Sequence, residues 1–245
     1  MTPYYSDKYV QIFLGDCREV LPQLDVKFDA LITDPPFGIG FNYDCGAEKC
    51  DTPDKYWEWL EPLYTLAQES LRSGAFIAVW QTQLYFRYFW EWFGDDIHIY
   101  IGAKNFVQLR KVAIQYAYDP IILLYEDGEK LCPTKPKRNL DYFVANTAKW
   151  VTQTEDIVRQ HPCPRPIDQV TEIISNFTID NANVLDIFSG AGTILLAAKR
   201  LNRCSVGIEI SEKYCEIAAK RCMQESFEFD NIDANNIASK QQPML

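Results

Sequence analysis

What this chain lacks narrows its function classes first. No apolar run is long enough to span a bilayer, and Met1-Thr2-Pro3-Tyr4-Tyr5 shows no charged-then-apolar secretory pattern. A cytoplasmic protein with no membrane partner is therefore expected. Its cysteines (Cys17, Cys45, Cys50, Cys132, Cys163, Cys204, Cys215 and Cys222) include no C-x-x-C pair, which argues against a zinc ribbon or a thioredoxin-type site. Cys45 and Cys50 share one expected loop and could ligate a metal, but free thiols in a reducing compartment are preferred, and no metal is assigned. No internal repeat is present, and no low-complexity tract apart from a polar tail after Asp230.

Positive charge is also scarce. The formal net charge is −10, unfavourable for contact with phosphates. The deficit is uneven, however: residues 104–165 carry about +3 and the remainder about −13. Lys104, Arg110, Lys111, Lys135, Lys137 and Arg138 are accordingly candidate nucleic-acid contacts, with an ordinary solvated loop as the alternative.

Short apolar runs bounded by turn residues alternate with segments of helical period, the pattern of an α/β fold around a largely parallel sheet. Strands are predicted near Val10–Leu14, Phe28–Thr33, Ala75–Trp80, Ile97–Ile101, Ile121–Tyr125, Asn183–Ile187 and Cys204–Ile208, making a doubly wound, seven-stranded sheet. Helices are predicted at Pro53–Leu71, Leu84–Phe93, Pro166–Asn176, Thr193–Leu201 and Ser211–Met223, with Asp54 and Ser211 as candidate N-caps. Asp127–Lys149, with Gly128, Pro133 and Pro136, reads as an irregular excursion. Aromatic side chains crowd Tyr56, Trp57 and Trp59 and again Tyr85–Phe93, serving either the core or a subunit interface.

Val184-Leu185-Asp186-Ile187-Phe188-Ser189-Gly190-Ala191-Gly192-Thr193 is an apolar strand running into a glycine turn and an Ala- and Leu-rich helix. Glycines there let the backbone approach a ligand closely. A second strand ends in Gly207-Ile208-Glu209, placing a carboxylate where a ribose diol would sit, so an adenosine-containing ligand is indicated. The dinucleotide fingerprint is incomplete because Leu195 replaces its third glycine, and the P-loop lysine is missing.

The second constellation is Phe28-Asp29-Ala30-Leu31-Ile32-Thr33-Asp34-Pro35-Pro36-Phe37. Here an apolar strand delivers an acid, two prolines and a ring at its carboxyl end, where open α/β sheets bind ligands. The prolines stiffen the turn and remove N–H donors, leaving carbonyls and a carboxylate to face an incoming amine. Asp34-Pro35-Pro36-Phe37 resembles the (Asp/Asn/Ser)-Pro-Pro-(Tyr/Phe) motif of the DNA amino-methyltransferases. Gly15-Asp16-Cys17 with Val20-Leu21 is similar to that family's preceding segment. His161-Pro162-Cys163-Pro164-Arg165-Pro166 is similar to its His-Pro-x-x-Lys-Pro element, with Arg165 in place of the usual lysine. Catalytic motif first and cofactor loop last is the order of the beta permutation of these enzymes, whose fold is Rossmann-like.

The resemblance implies S-adenosyl-L-methionine as cofactor and DNA as substrate, with methyl transfer to the exocyclic amine of adenine, or of cytosine as the alternative. It assigns Asp34, Pro35, Pro36 and Phe37 to catalysis. Asp186, Phe188, Gly190 and Gly192 would surround the cofactor's methionine and ribose part, Glu209 would bind the ribose and Asp16 the adenine, with Ser189, Thr193 and Asp34 also cofactor-binding. The base would be flipped out and stacked on Phe37, with Phe41 or Tyr43 assisting or merely packing their loop. Residues 1–101 then form the catalytic half, 102–160 an insert for target recognition with a returning strand, 161–230 the cofactor half and 231–245 the tail. A homodimer and a cognate restriction endonuclease are partners such a prokaryotic or phage-encoded enzyme admits. A non-catalytic binding module and an RNA or protein acceptor are the competing readings.

Overall fold

The computed structural model describes residues 1–37, 55–104, 117–126, 141–145 and 165–224. Its strands are β1 (Tyr5–Ser6), β2 (Val10–Leu14), β3 (Phe28–Thr33), β4 (Leu71–Trp80), β5 (His98–Lys104), β6 (Tyr118–Tyr125), β7 (Tyr142–Ala145), β8 (Asn183–Asp186) and β9 (Cys204–Glu209). Helices are α1 (Cys17–Val20), α2 (Tyr56–Glu69), α3 (Phe86–Phe93), α4 (Ile167–Phe177), α5 (Thr193–Arg200) and α6 (residues 212–224).

All strands join one sheet of order β1-β2-β9-β8-β3-β4-β6-β5-β7. From β2 to β4 every neighbouring pair is parallel. The strand β6 runs against β4 and β5, β1 runs against β2, and β7 lies parallel to β5. The sheet is therefore doubly wound and largely parallel, but it has nine strands among the described residues where seven were predicted. The additional strands are both edges. Tyr142–Ala145 falls inside the expected irregular stretch, where the nearby Gly and Pro outweighed a Tyr-Phe-Val alternation that half-buries Phe143 and exposes Tyr142 and Val144.

Central strands are apolar throughout because both faces are covered. In β3, Leu31 faces one layer while Ala30 and Ile32 face the other. In β4, Ile77 and Val79 oppose Phe76, Ala78 and Trp80 in the same period of two. One layer holds α1, α2 and α3; the other holds α4 and α5, with α6 packed beside α5 over β2. Each fully buried Leu or Ile contributes about 1.5–3 kcal/mol, so this two-sided burial dominates the fold's stability.

Most rings of α3 turn inward onto α2. Trp57 stacks on Tyr88 at 4.8 Å and meets Trp92 edge-on at 5.8 Å, and Phe89 lies edge-on to Tyr64 at 5.8 Å. Leu84 and Trp90 remain exposed. The start of α2 carries no side-chain cap at Lys55, and Asp54 lies outside the described residues. Ser211 begins α6, its carbonyl accepting from the Tyr214 and Cys215 amides at 3.0 Å.

Helices join β3 to β4 on one face and β8 to β9 on the other, while β3 and β8 are neighbours. That arrangement puts a topological switch point at the shared carboxyl ends of the two strands, the place where open α/β sheets bind ligands.

Candidate active site

Four strand ends deliver the acidic residues singled out from the sequence to one edge of the sheet. Leu14 pairs with Glu209 across β2 and β9, Asp186 pairs with Gly207 across β8 and β9, and Leu31 pairs with Leu185 across β3 and β8. Asp16, Asp34, Asp186 and Glu209 therefore all follow or end parallel strands on the same side. The Thr33 hydroxyl donates to Asp186 Oδ1 at 2.8 Å, fastening β3, which precedes Asp34, to β8, which precedes the glycine turn.

The glycine turn between β8 and α5 has the geometry that needs glycine. Gly190 has φ 48° and Gly192 φ 72°, both in the left-handed region. A Cβ on Gly192 would lie 2.7 Å from the Ala218 Cβ, so α6 also packs tightly against this turn. Glu209 organises the loop from the other side: its Oε2 accepts from the Gly190 amide and its Oε1 from the Ser211 amide, each at 2.8 Å. Burial raises the Glu209 carboxyl above its ordinary range, although the Ser211, Gly190 and Ile210 amides oppose the shift.

Asp186 is more strongly perturbed. Burial pushes its carboxyl up to about 7 against the Thr33 hydroxyl and the Phe188 amide, with the Asp34 and Glu209 charges adding to the rise. Phe188 contacts Trp59 of α2, ring centroids 5.7 Å apart. The Ser189 hydroxyl is buried and has no hydrogen-bond partner among the described residues. The Thr193 hydroxyl, in contrast, accepts from Arg221 at 3.1 Å. A cradle of left-handed glycines, an orphaned hydroxyl and two buried carboxylates fits a ligand with both hydroxyl and cationic groups.

At the catalytic end, Pro35 is buried and Pro36 and Phe37 are half-buried. Arg165 reaches Asp34 with two donors, Nε to Oδ2 at 2.6 Å and an Nη to Oδ1 at 2.7 Å. Its other Nη donates to Asp119 at 2.8 Å, and its guanidinium lies over the Phe37 ring, 5.0 Å from the centroid. Burial raises the Asp34 carboxyl above the usual carboxylate range, and Arg165 restrains that rise. Asp119 is also driven up by burial, but Arg165 and Lys104 together hold it below its ordinary value.

Two of the expected residues have additional local work. Asp16 caps α1 by accepting from the Arg18 amide at 2.9 Å and also pairs with the Arg18 side chain, which lowers its carboxyl. Lys104 binds Asp119 at 2.7 Å, so a phosphate contact there competes with an existing ion pair. Arg110, Lys111, Lys135, Lys137, Arg138, Phe41 and Tyr43 lie outside the described residues. Thr33 and Asp119 escaped the sequence reading. The available signal for Asp119 was an acid beside Pro120 at the start of an otherwise apolar strand.

Comparison with known proteins gives this arrangement a family. The N6_N4_Mtase family model, described as DNA methylase, matches residues 28–220. The chain belongs to this family. Among curated relatives of this DNA methylase, the type II methyltransferase M.ScaI of Streptomyces caespitosus is 24% identical over 263 residues, covering 91% of this chain and 84% of that protein. The type II methyltransferase M.HpaI of Haemophilus parainfluenzae is 25% identical over 234 residues, covering 84% and 72%. Of solved structures, the M1.HpyAVI–SAM complex superposes with a TM-score of 0.67 at 23% identity, covering 86% of this chain and 98% of that one. The PvuII DNA methyltransferase (cytosine-N4-specific) gives 0.72 at 16% identity, covering 90% and 88%. These structural likenesses establish the Rossmann-like methyltransferase fold.

Proposed function

We propose that this DNA methylase transfers a methyl group from S-adenosylmethionine to the exocyclic amine of adenine in DNA, by direct attack from a flipped-out base. The observation that carries the reading is the Thr33–Asp186 hydrogen bond, which holds the strand ends leading to Asp34 and to the glycine turn side by side. S-adenosylmethionine supplies an electrophilic sulfonium methyl when bound. Gly190 and Gly192 would let the turn hold it, Glu209 would bind the ribose, and Asp186 and Ser189 would bind its polar groups.

An exocyclic amine is a weak nucleophile because its lone pair is delocalised into the ring. Asp34 and the Pro35 carbonyl accept its two hydrogens and so localise that pair towards the methyl group. A carboxylate offers about four lone-pair sites, so Asp34 can serve the amine while Arg165 occupies two of them. Phe37, whose ring also meets the Arg165 guanidinium, stacks on the flipped base. No covalent enzyme intermediate is required, and the nearby Cys17 thiol is buried and pushed up to about 12, far from a nucleophile's range.

Residues 1–101 act as the catalytic half and 161–230 as the cofactor half, while 102–160 read the target sequence and hold the phosphates. Type II relatives support a restriction-modification setting, with a cognate endonuclease as the functional counterpart. No helix among the described residues is long and apolar enough to cross a membrane.

Adenine is preferred because the motif begins with Asp34, and in this family aspartate at that position accompanies adenine more often than serine does. Methylated DNA digested to nucleosides and identified by mass spectrometry decides the base: N6-methyladenine is expected, and N4-methylcytosine overturns the adenine assignment. Radiolabelled methyl transfer to mixed-sequence DNA tests turnover itself. Cofactor binding without transfer would instead support a non-catalytic module, and transfer only to RNA or protein would remove DNA as substrate.

A further inference from the structure

Asp34 lies at the end of a chain of alternating charges that crosses the sheet edge. Lys104 at the end of β5 binds Asp119 in β6, Asp119 binds Arg165 just before α4, and Arg165 binds Asp34 after β3. Residues from four separate places in the chain thus form one network that ends on the Asp34 carboxylate, and the side chains of Asp119 and Arg165 are each only 13% exposed. Guanidinium matches carboxylate as a rigid fork, so two parallel bonds fix the plane of the Asp34 carboxylate as well as its position. The same guanidinium covers Phe37, so one side chain orients both the group that receives the amine and the ring beneath the base.

We propose that Arg165, anchored by Asp119 and Lys104, is a positioning residue for methyl transfer that keeps Asp34 ionised and oriented. The proposal rests on the reading of Asp34 as acceptor of the amine hydrogens. Among the described residues, the charged and titratable groups facing Asp34 are Arg165, Asp119, Lys104, Asp186 and the Tyr64 phenol of α2. Burial favours the protonated acid, and a protonated Asp34 has one acceptor fewer and a misplaced donor. Arg165 opposes that protonation, whereas Asp119 promotes it. The two neighbours therefore have opposite influences on one titration, although both belong to the same network.

The test is the pH profile of single-turnover methyl transfer from radiolabelled S-adenosylmethionine to mixed-sequence DNA, using the full chain from about pH 5 to about pH 9. With R165M the rate at neutral pH is expected to fall about 100-fold, the loss typical of a misplaced reacting group. Its acid limb should move to higher pH, so that part of the loss is recovered in alkaline buffer. R165K keeps the charge without the fork and should return to within about tenfold of the wild type. D119N should slow the reaction severalfold yet move the acid limb the other way, towards lower pH. Cofactor affinity measured by calorimetry should be unchanged in all three.

A loss in R165M that is the same factor at every pH, or limbs that move together in R165M and D119N, overturns the positioning role. Wild-type rates in R165M overturn it as well. Should R165M fail to fold, the R165K and D119N profiles decide: an acid limb that stays in place with R165K while D119N moves it to lower pH does not follow from general damage, and limbs that move together in these two overturn the role. Full activity of D34A is a different result: it removes the underlying role of Asp34, whatever Arg165 does.

Discussion

The hydroxyl of Thr33 and the carboxylate of Asp186, 153 residues apart in the chain, meet at 2.8 Å where two parallel strands end. The hydrogen bond holds the residue before Asp34 against the residue that opens the cofactor turn. On the proposed function, methyl donor and methyl acceptor belong to adjacent strands, and the distance between their protein anchors is set by sheet spacing rather than by loop conformation.

Replacing Asp34 by alanine should reduce methyl transfer by at least about 10²–10³-fold, the scale of losing one aimed electrostatic partner. Cofactor binding should survive, because Arg165 keeps its bond to Asp119 and the glycine turn is untouched. Rate assays paired with calorimetry check this, and residual activity at the wild-type level eliminates the carboxylate's role.

Glu209→Ala should act on binding instead. It strips the carboxylate from the Gly190 and Ser211 amides, loosening the turn, and removes the acceptor assigned to the ribose. A loss of about 1–3 kcal/mol, roughly tenfold to a hundredfold in dissociation constant, is expected. An unchanged constant in titration calorimetry refutes the assignment.

Asp186 links stability to pH with a definite sign. Its carboxyl rises from the ordinary 3.8 to about 7 on folding, so its contribution to stability is complete below the unfolded value and lost as pH climbs through the folded one. Asp186→Asn should therefore stabilise the cofactor-free protein at about pH 8, by on the order of 4 kcal/mol at most, while weakening cofactor binding. Denaturant melts at several pH values should show that advantage shrinking towards about pH 4. An advantage that is constant with pH contradicts the account.

Gly192→Ala should lower stability by about 2–4 kcal/mol, through a left-handed backbone and the close approach to Ala218 together. That corresponds to a melting temperature lower by roughly 5–10 °C. Adding Ala218→Gly relieves the contact but not the backbone strain, so only part of the loss should return.

The sequence showed most of what burial dictates. The catalytic strand was predicted at Phe28–Thr33 and is found there, because an unbroken apolar run between turns has few other destinations. The Val184–Gly192 turn was equally visible, since left-handed positions call for glycine. Partnerships were not. Arg165 and Asp34 stand 131 positions apart with no local sign that they meet, and Lys104 read as a phosphate contact because local composition reveals a lysine but not the Asp119 that claims it. The edge strand Tyr142–Ala145 was hidden by neighbouring Gly and Pro, although half-burial of one side chain suffices to form it.

In β3 and β8, neighbours joined by no direct connection, the sheet makes gene order irrelevant to assembly. A rearranged coding sequence that begins with the half holding β8 and β9 and ends with the half holding β3 and β4 would bring the same two strand ends together. Evolution can therefore shuffle these halves past one another, or place them on two polypeptides, and still recover the same arrangement.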